Sequence, residues 1–575
     1  MQEPDSSSVS IVIAGSGGAG VMTAGQILLE AATSRGFYGL MTRSTGPQIR
    51  GGEAAAMIRL SPRPVQCPGD RFDILLALDF ENVQRFAAEL PLDANSLLIV
   101  DPAAGDLPPF LKDSGAPVVY LPMAKLAKTV PGGRMSMIAL GALARIIGLP
   151  ESAIVEAVAA SIGRKRPDAI ASTEKAVLLG AANAPEAEAA KVALATTVPM
   201  ERWSITGNEA TGYGALIGGV KFVGGYPITP ATEILEWMAQ ALPRCGGVLV
   251  QAEDELSSIN MAIGASFGGT PSLTATAGPG LSLMIESLGL AVASETPVVV
   301  VDVMRSGPST GIATKSEQSD LNIAVYGLHG DAPHVVTAPL SVSDCFFTAQ
   351  WSVHLAESLQ TPVIMLSDQS LGQARVVIDK PQETSFPAKR LTVEVPPTAY
   401  ERYALTESGV SPMAIPGLSG GQYTADGLTH SPRGTPSSQA HDHIRQMDKR
   451  QRKLTSFDFG ARWAEIDGEG ELAVITWGSS SEPLREAAAA ARAQGIRVRL
   501  IAMRLVAPPQ PKLLAMALKG VRRVVVIEQS HSGQFWRYLR AHYDLPADVV
   551  PIARPGPLPI RPAEALDYIQ KGARA

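Results

Sequence analysis

Three acidic residues, Glu253, Asp254 and Glu255, lie together directly after the apolar run Val248-Leu-Val250. A Glu that is shielded from water can accept or donate a proton in a catalytic site. Asp and Glu are also common in the first turn of a helix, where they face the positive end of the helix dipole. The trio therefore predicts either a proton-transfer group or a solvated helix start.

A glycine-rich turn near the N-terminus is a second feature that could bind a ligand. Gly15-Ser16-Gly17-Gly18-Ala19-Gly20 follows the apolar run Ile11 to Ala14 and precedes a helix predicted from Val21. The pattern G-x-G-x-x-G in that context is typical of dinucleotide binding, but an acid is expected about 20 residues later to hold the ribose. The next strand, Phe37 to Arg43, lacks this acid. The turn thus predicts a phosphate at a helix N-terminus or only a tight turn, and a nicotinamide-dependent dehydrogenase is disfavoured.

The cysteines point away from a metal centre in this chain. Cys67, Cys245 and Cys345 are too far apart in sequence for any metal-ligand spacing. Iron–sulfur clusters usually require four thiolates. We therefore predict no metal site and no cluster in this chain, with the cysteines buried or incidental.

Composition excludes further classes of function. The net charge is −6 over 575 residues, and no Lys/Arg-rich run with interleaved aromatics occurs, so nucleic acid is not expected as a partner. The N-terminal residues resemble no leader, and no apolar run reaches the roughly 18 residues that would span a bilayer. These features predict a cytoplasmic protein that does not enter a membrane.

The elements that must position these residues are strands and helices in alternation. The chain length predicts about three or four domains. Apolar runs that end at glycine or polar residues alternate with helical stretches, which predicts an α/β fold of three doubly wound domains with parallel sheets. In such sheets ligands bind at the carboxyl ends of the strands. The predicted strands outside the first turn include Ile74 to Leu78, Leu97 to Val100, Pro117 to Tyr120, Leu273 to Thr276, Val298 to Asp302, Val363 to Leu366, Leu472 to Thr476, Val498 to Ala502 and Val524 to Glu528.

Five motifs in the central part of the chain occur in one order. They are Gly207-Asn208-Glu209-Ala210, Tyr226-Pro227-Ile228-Thr229-Pro230, Gln251 to Glu255 with Gly264-Ala265, Thr276-Ala-Gly278-Pro279-Gly280, and Arg305 to Gly311. Their order and approximate spacing resemble the alpha subunit of 2-oxoacid:ferredoxin oxidoreductases. The glycine turn and the segment Thr42 to Glu53 resemble the gamma subunit of the same enzymes. The resemblance covers essentially the whole chain and implies a gamma-type domain fused to an alpha subunit.

The resemblance also divides the chain. We expect a gamma-type domain over residues 1–195 and a thiamine diphosphate pyrimidine-binding domain over 203–385. Residues 386–468 are expected to form a linker and irregular segment, in which Ser408 to Gln439 is rich in Gly, Ser, Pro and Thr and is predicted to be a surface loop. A domain similar to the transketolase C-terminal domain follows over 469–575.

The family's functional residues map onto these motifs. The resemblance implies that Glu255 activates thiamine diphosphate, with Glu253 as its competitor, and that Thr229 and Arg305 bind the substrate carboxylate. A guanidinium suits a carboxylate because it donates two parallel hydrogen bonds. Further residues implied to bind the cofactor are Tyr226, Pro227, Ile228, Thr276, Gly278 and Gly280. Those implied to be associated with coenzyme A are Gly15, Gly17, Gly20, Arg43 and Arg50, although both arginines could equally be surface residues.

The loop after Arg305 bears on the choice of substrate. Thr314-Lys315-Ser316-Glu317-Gln318-Ser319-Asp320-Leu321 resembles the corresponding loop of 2-oxoglutarate-type enzymes. A second substrate carboxylate needs a second cation, for which Lys315 and His329 are the nearest candidates in sequence. Either could also be a surface residue. The resemblance favours 2-oxoglutarate, with pyruvate or a branched-chain 2-oxoacid as alternatives.

The motifs that are missing imply a partner. The Gly-Asp-Gly motif that holds the metal and diphosphate of thiamine enzymes does not occur in this chain. In the family, a beta subunit brings Mg²⁺, the diphosphate half of the site and the iron–sulfur cluster. We therefore expect a dimer of alpha–beta pairs that converts 2-oxoglutarate and coenzyme A to succinyl-CoA and CO2, reduces ferredoxin, and is reversible. A non-catalytic assembly subunit is the alternative from another class.

Overall fold

The computed structural model describes residues 8–45, 53–81, 83–161, 167–186, 201–381, 386, 389–396 and 398–574. The chain divides into two compact units. The first unit contains Met1–Thr206 and Gln373–Gln382, and the second contains Gly207–Gly372 and Glu383–Ala575. None of the helices in the described residues is long and apolar enough to span a membrane.

Strands and helices are numbered along the chain. The strands in the described residues are β1 (Val9–Ser16), β2 (Tyr38–Thr45), β3 (Glu53–Ser61), β4 (Ile74–Ala77), β5 (Leu97–Val100), β6 (Val118–Tyr120), β7 (Arg202–Thr206), β8 (Phe222–Gly225), β9 (Val248–Gln251), β10 (Ser272–Thr276), β11 (Val298–Met304), β12 (Val335–Thr337), β13 (Pro362–Asp368), β14 (Arg375–Asp379), β15 (Ala464–Asp467), β16 (Leu472–Trp477), β17 (Val498–Met503), β18 (Leu505–Ala507), β19 (Arg523–Glu528) and β20 (Asp548–Ala553).

The α-helices in the same residues are α1 (Val21–Ser34), α2 (Pro109–Asp113), α3 (Met123–Lys128), α4 (Met135–Ile147), α5 (Glu151–Ser161), α6 (Pro167–Ala182), α7 (Gly207–Gly218), α8 (Thr232–Ala241), α9 (Glu255–Phe267), α10 (Gly278–Ala293), α11 (Leu321–Tyr326), α12 (Val342–Leu359), α13 (Gln369–Gly372), α14 (Ala440–Thr455), α15 (Ser481–Ala493), α16 (Pro511–Ala517), α17 (Gln534–His542) and α18 (Pro562–Arg574).

The sheet of the first unit is part parallel and part antiparallel. Its order is β6-β5-β4-β1-β3-β2-β14-β7. The predicted strands β1, β4, β5 and β6 are parallel, as expected. The other half differs from the expectation because β2 and β3 form an antiparallel pair, and β3 also pairs antiparallel with β1.

The boundary between the first two domains also differs from the sequence-based expectation. Strand β7, which contains Trp203, pairs antiparallel with β14, and β14 pairs with β2. The residues expected to begin the second domain therefore complete the sheet of the first unit. Since β14 lies about 170 residues after β7, this pairing depends on contacts that no local pattern reports.

The second unit contains two further sheets. One has the order β18-β12-β13-β11-β10-β8-β9, and the other has the order β15-β17-β16-β19-β20. Strands β11 and β13 are buried along their whole length, as expected for a parallel sheet that helices cover on both faces, and their sequences are mostly apolar. Together with the first unit, these sheets confirm an α/β fold of three doubly wound domains.

The segment expected to be a linker is anchored by buried charge. Helix α14 lies in this segment, and its Lys449 and Lys453 each place Nζ 2.5 Å from the carboxylate of Glu295. Arg402 Nη2 donates to the Glu295 carbonyl oxygen at 2.9 Å. Burial would raise the pKa of Glu295, but the two lysines lower it below its ordinary value, so this carboxylate stays ionised.

The stretch Ser408 to Gln439 has no helix or strand, as expected, yet it is not simply a surface loop. Its residues are all described, and Met413 and His430 are buried. His430 contacts the Ala293 carbonyl oxygen at the end of α10 through Nε2 at 3.2 Å. Irregular backbone is thus packed against the helices of the second unit.

We predict that Glu295→Gln destabilises the protein by about 3–5 kcal/mol, because it leaves two lysines buried without a balancing charge. Asp567→Asn is the matched control, since Asp567 pairs with Lys571 at the exposed surface, where a pair contributes about 0–1 kcal/mol. Thermal unfolding of both variants tests this. Equal melting temperatures would show that the Glu295 cluster does not anchor α14.

Candidate active site

The strand order of the second unit creates a topological switch point, where a crevice is expected, at the carboxyl edge of the sheet containing β8. The chain passes from β8 to β9 on one side and then returns to β10 on the other side of β8. At such a switch point the connections diverge from the carboxyl ends of the strands and leave room for a ligand. The turn from Tyr226 to Pro230 follows β8 at this point, with Pro227 and Thr229 exposed and Tyr226 and Ile228 half-buried.

The structure separates the three acids that follow β9. Glu253 is exposed, and Asp254 caps α9 because its Oδ1 accepts from Ser257 N at 2.6 Å, a hydrogen bond that lowers the pKa of Asp254. Glu255 begins the helix and is buried, with 7% of its surface exposed. In the described residues no donor is hydrogen-bonded to its carboxylate. Of the three acids, Glu255 is therefore the one whose side chain is buried.

The start of α10 forms the opposite wall of this pocket. A Cβ on Gly280 would lie 2.0 Å from Thr276 Oγ1 and 2.7 Å from Glu255 Cγ, closer than any side chain allows. The bare backbone at Gly280 lets Glu255 and Thr276 approach each other. Gly278 makes a similar approach to Asp320, whose Oδ2 would lie 2.6 Å from an added Cβ. Thr276, Gly278 and Gly280 are thus brought together with Glu255.

Arg305 connects the end of β11 to the turn after β8. Its Nη1 donates to the Thr229 carbonyl oxygen at 2.6 Å, and its Nε is buried without a partner among the described residues. On the other side of the turn, Asn208 Nδ2 donates to the Pro230 carbonyl oxygen at 3.0 Å. The structure therefore brings Thr229 and Arg305 together and holds the turn between two side chains.

Two acids that sequence reasoning did not select complete the site. Asp302, on β11, faces Asp320 just before α11, and Asp302 is fully buried. Burial, and then the charge of Asp320, raise the pKa of Asp302 well above its ordinary value. Burial and the charge of Glu317 raise the pKa of Asp320 to about 6, although Asp302 and Arg305 oppose that rise. Burial of two facing carboxyls thus favours the neutral form of this pair, most strongly at Asp302.

A signal for this pair was present in the sequence. Asp302 lies in the strand Val298 to Met304, whose other residues are all apolar, and Asp320 ends the loop motif that follows Arg305. A lone acid in a buried strand requires a partner or a proton. Its partner could not be deduced, because Asp320 meets Asp302 only through the fold.

Lys315 and His329 occupy different surroundings. Ser306 N donates to the Lys315 carbonyl oxygen at 2.9 Å, which places Lys315 beside the residue that follows Arg305. Lys315 is half-buried. His329 is exposed in the turn beyond the carboxyl end of α11. The backbone of Lys315 is therefore hydrogen-bonded next to Arg305, at the carboxyl end of β11. His329 has no such contact in the described part of the chain.

A carboxylate of the protein itself, that of Asp79, is hydrogen-bonded to Ser16 in the glycine turn of the first unit. Asp79 Oδ2 accepts from Ser16 N at 3.0 Å and from Ser16 Oγ at 2.9 Å. A phosphate would need the same kind of donor, so this contact supports a structural role for part of the turn. The association of Gly15, Gly17 and Gly20 with coenzyme A stays a prediction. Arg43 lies on β2, and Arg50 lies outside the described residues.

Three family models match successive parts of the chain. The family described as "Pyruvate ferredoxin/flavodoxin oxidoreductase" matches residues 10–183. The family "Pyruvate flavodoxin/ferredoxin oxidoreductase, thiamine diP-bdg" matches residues 213–449 and thus contains the crevice. "Transketolase, C-terminal domain" matches residues 462–555.

Full-length relatives share this organisation. A 2-oxoacid:ferredoxin oxidoreductase alpha subunit from Aeropyrum pernix is 30% identical over 94% of each chain. The chain belongs to the 2-oxoacid:ferredoxin oxidoreductase family. The solved 2-oxoglutarate:ferredoxin oxidoreductase from Magnetococcus marinus, with 2-oxoglutarate, coenzyme A and succinyl-CoA bound, is 34% identical over 98% of this chain and 99% of that one, with a TM-score of 0.91. The 2-oxoglutarate synthase subunit KorA from Methanothermobacter marburgensis is 35% identical over 64% of this chain and 98% of its own.

The protein is therefore a thiamine diphosphate-dependent 2-oxoacid:ferredoxin oxidoreductase, and the crevice fits this cofactor. Glu255 is a buried carboxylate with no donor from the described part of the chain, as a residue that bonds a cofactor ring requires. Gly280 lacks a Cβ, and its bare backbone therefore packs closely against Glu255 and Thr276. Both features lie within the residues matched by the thiamine diphosphate-binding family.

We predict that Gly280→Ala in the assembled enzyme lowers activity roughly a hundredfold, because the new methyl displaces Glu255 and catalytic groups tolerate little misplacement. Gly289→Ala in the same helix is the matched control, since an added Cβ there meets no atom within 4 Å. Specific activity and melting temperature of both variants check this. Similar activities in the two variants would contradict the close packing of Gly280 against Glu255.

Proposed function

We propose that the chain is the catalytic alpha subunit, with a fused gamma-type domain, of a coenzyme A-dependent 2-oxoglutarate:ferredoxin oxidoreductase. The observation that carries this proposal is the convergence of Glu255, Thr229 and Arg305 on one crevice. A non-catalytic assembly subunit would have no need to keep a buried acid at this switch point. The named 2-oxoglutarate relatives and the ligands of the Magnetococcus marinus enzyme support the substrate.

Each residue of the crevice receives a task. Thiamine diphosphate supplies the electron sink that a 2-oxoacid lacks when CO2 departs. Glu255 would hydrogen-bond to the aminopyrimidine ring of the bound cofactor, because its carboxylate is buried at the start of α9. The residues Tyr226, Pro227, Ile228, Thr276, Gly278 and Gly280 form the walls for this ring. Thr229 and Arg305 bind the carboxylate next to the keto group.

The choice of 2-oxoglutarate requires a second cation. We assign it to Lys315, because the backbone contact with Ser306 holds Lys315 close to Arg305, which directly follows β11. His329 is the weaker candidate, since it is exposed beyond α11. A Lys suits a distal carboxylate because its ammonium can donate three hydrogen bonds and adjust its position along a flexible stem.

The remaining parts of the reaction are assigned to partners. The sequence contains three cysteines, which lie far apart and cannot supply the four thiolates of a cluster. A beta subunit would therefore carry the cluster, Mg²⁺ and the diphosphate half of the site, in a dimer of alpha–beta pairs that reduces ferredoxin reversibly. We assign coenzyme A to the gamma-type domain over residues 1–195. The other proposed domains span 203–385 and 469–575, with the irregular segment 386–468 between them, although β7 and β14 complete the sheet of the first unit.

We expect Glu255→Gln to preserve assembly and to lower turnover by about two to four orders of magnitude, the usual effect of losing a proton-transfer group. Glu253→Gln is the matched control, because Glu253 is exposed and only two residues away. Steady-state assays of both variants in the assembled enzyme measure the difference. If the Glu253 variant is the damaged one, the assignment within the trio is wrong.

We expect Lys315→Met to weaken use of 2-oxoglutarate much more than use of 2-oxobutyrate, which lacks the distal carboxylate. A buried charge-assisted hydrogen bond contributes on the order of 1.5–3 kcal/mol, so the ratio of the two kcat/KM values should shift roughly ten- to hundredfold. His329→Leu should leave this ratio unchanged. A shift of this ratio in the His329 variant alone would assign the second cation to His329. An unchanged ratio in both variants would show that neither residue binds the distal carboxylate.

A further inference from the structure

The loop that follows Arg305 is held by the C-terminal part of the same unit. We call residues 306–320 the substrate loop. Within it, Gln318 is fully buried, and its Nε2 donates to the Trp477 carbonyl oxygen at 2.8 Å. Its Oε1 accepts from Gln529 N at 2.8 Å and from Ser480 Oγ at 3.2 Å. The side-chain amide of Gln318 is thus bound by groups of the C-terminal domain.

The place where this amide lies is a ligand position of the C-terminal fold. Trp477 is the last residue of β16, and Gln529 directly follows β19. These strands are parallel neighbours, and the chain leaves β16 for β17 on one side before crossing to β19 on the other. The gap between the two strand ends is therefore a topological switch point, where doubly wound domains bind their ligands. Here the group bound at the switch point is the side-chain amide of Gln318, from the substrate loop.

Further contacts hold the residues on both sides of Gln318. Gln534, the first residue of α17, donates from Nε2 to the Ser319 carbonyl oxygen and accepts from Asn322 N, both at 2.8 Å. Gly556 N donates to Glu317 Oε1 at 3.0 Å. The backbone of Gln318 itself donates to the Gln529 carbonyl oxygen at 2.8 Å. The C-terminal domain therefore holds the loop at several consecutive residues.

Gly478 makes this approach possible. It follows Trp477 and has a φ of +59°, and a Cβ at this position would lie 2.5 Å from Gln318 Nε2. An alanine would push the Gln318 amide out of the switch point without any change in the loop sequence. A substitution at Gly478, in the C-terminal domain, can therefore break the Gln318 contact while the loop keeps its own sequence.

We propose that Gln318 is a positioning residue for substrate recognition, which acts as a built-in ligand of the C-terminal domain. By fixing the loop, it places Lys315 and Asp320 around Arg305. Gln318 itself contacts no reacting atoms, and Glu255 lies on α9, outside the loop. Loss of the contact should therefore weaken substrate binding more than it slows the chemical step. This role rests on the proposed function of Arg305 and Lys315.

The test uses Gly478→Ala and Gln318→Ala in the full chain, assembled with its partner subunit. We expect faster hydrogen–deuterium exchange over residues 315–322, because their backbone amides lose partners. We also expect KM for the 2-oxoacid to rise roughly tenfold or more as several hydrogen bonds are lost, with a much smaller change in kcat. Gly495→Ala is the matched control, since Gly495 has a φ of +87° and an added Cβ meets no atom within 4 Å. It should change neither exchange over these residues nor KM.

Three results would overturn the proposal. Unchanged exchange over 315–322 in both variants would show that Gln318 does not hold the loop. Faster exchange with an unchanged KM would show that the contact is only structural. A loss of kcat as large as the rise in KM would place the effect on the chemical step. If the unaltered complex oxidised no 2-oxoacid, the proposed function would fail, whereas exchange would still show whether Gln318 holds the loop.

Discussion

The candidate active site depends on the parallel register of four neighbouring strands. Strands β9, β8, β10 and β11 lie side by side in that order, and all run in the same direction. Their carboxyl ends therefore meet at one edge, at spacings of about 5 Å between neighbours. Glu255, Thr229, Gly280 and Arg305 come from four different strand ends and converge only because of this register. The glycines at the start of α10 then allow the side chains to approach one another closely.

Buried charge is handled in two different ways around this sheet. Glu295 remains ionised because two lysines of α14 surround its carboxylate, and this contact anchors irregular backbone to the helices. Asp302 has no lysine at comparable distance among the described residues and faces a second acid instead, so burial and the charge of Asp320 raise its pKa. The first solution suits a structural anchor. The second leaves Asp320, the other acid of the pair, as the carboxyl whose charge acts on Arg305.

The proposed role of Gln318 gives the C-terminal domain a part in substrate recognition without a ligand of its own. A doubly wound domain has a natural binding position at its switch point, and here a loop of the neighbouring domain fills it. The same topological feature is thus used twice in one unit. In the sheet containing β8 it forms the cofactor crevice, and in the sheet containing β16 it holds the loop that borders that crevice.

The sequence by itself determined the α/β class, the positions of most strands, and the motifs that carry Glu255, Thr229 and Arg305. Strand periodicity and glycine turns are local properties, so they can be recognised without the fold. Only the tertiary structure showed that Glu255 is buried while Glu253 is exposed, paired Asp302 with Asp320, and moved β7 into the first sheet. Burial and pairing depend on residues far away in sequence, whose positions no local pattern reports.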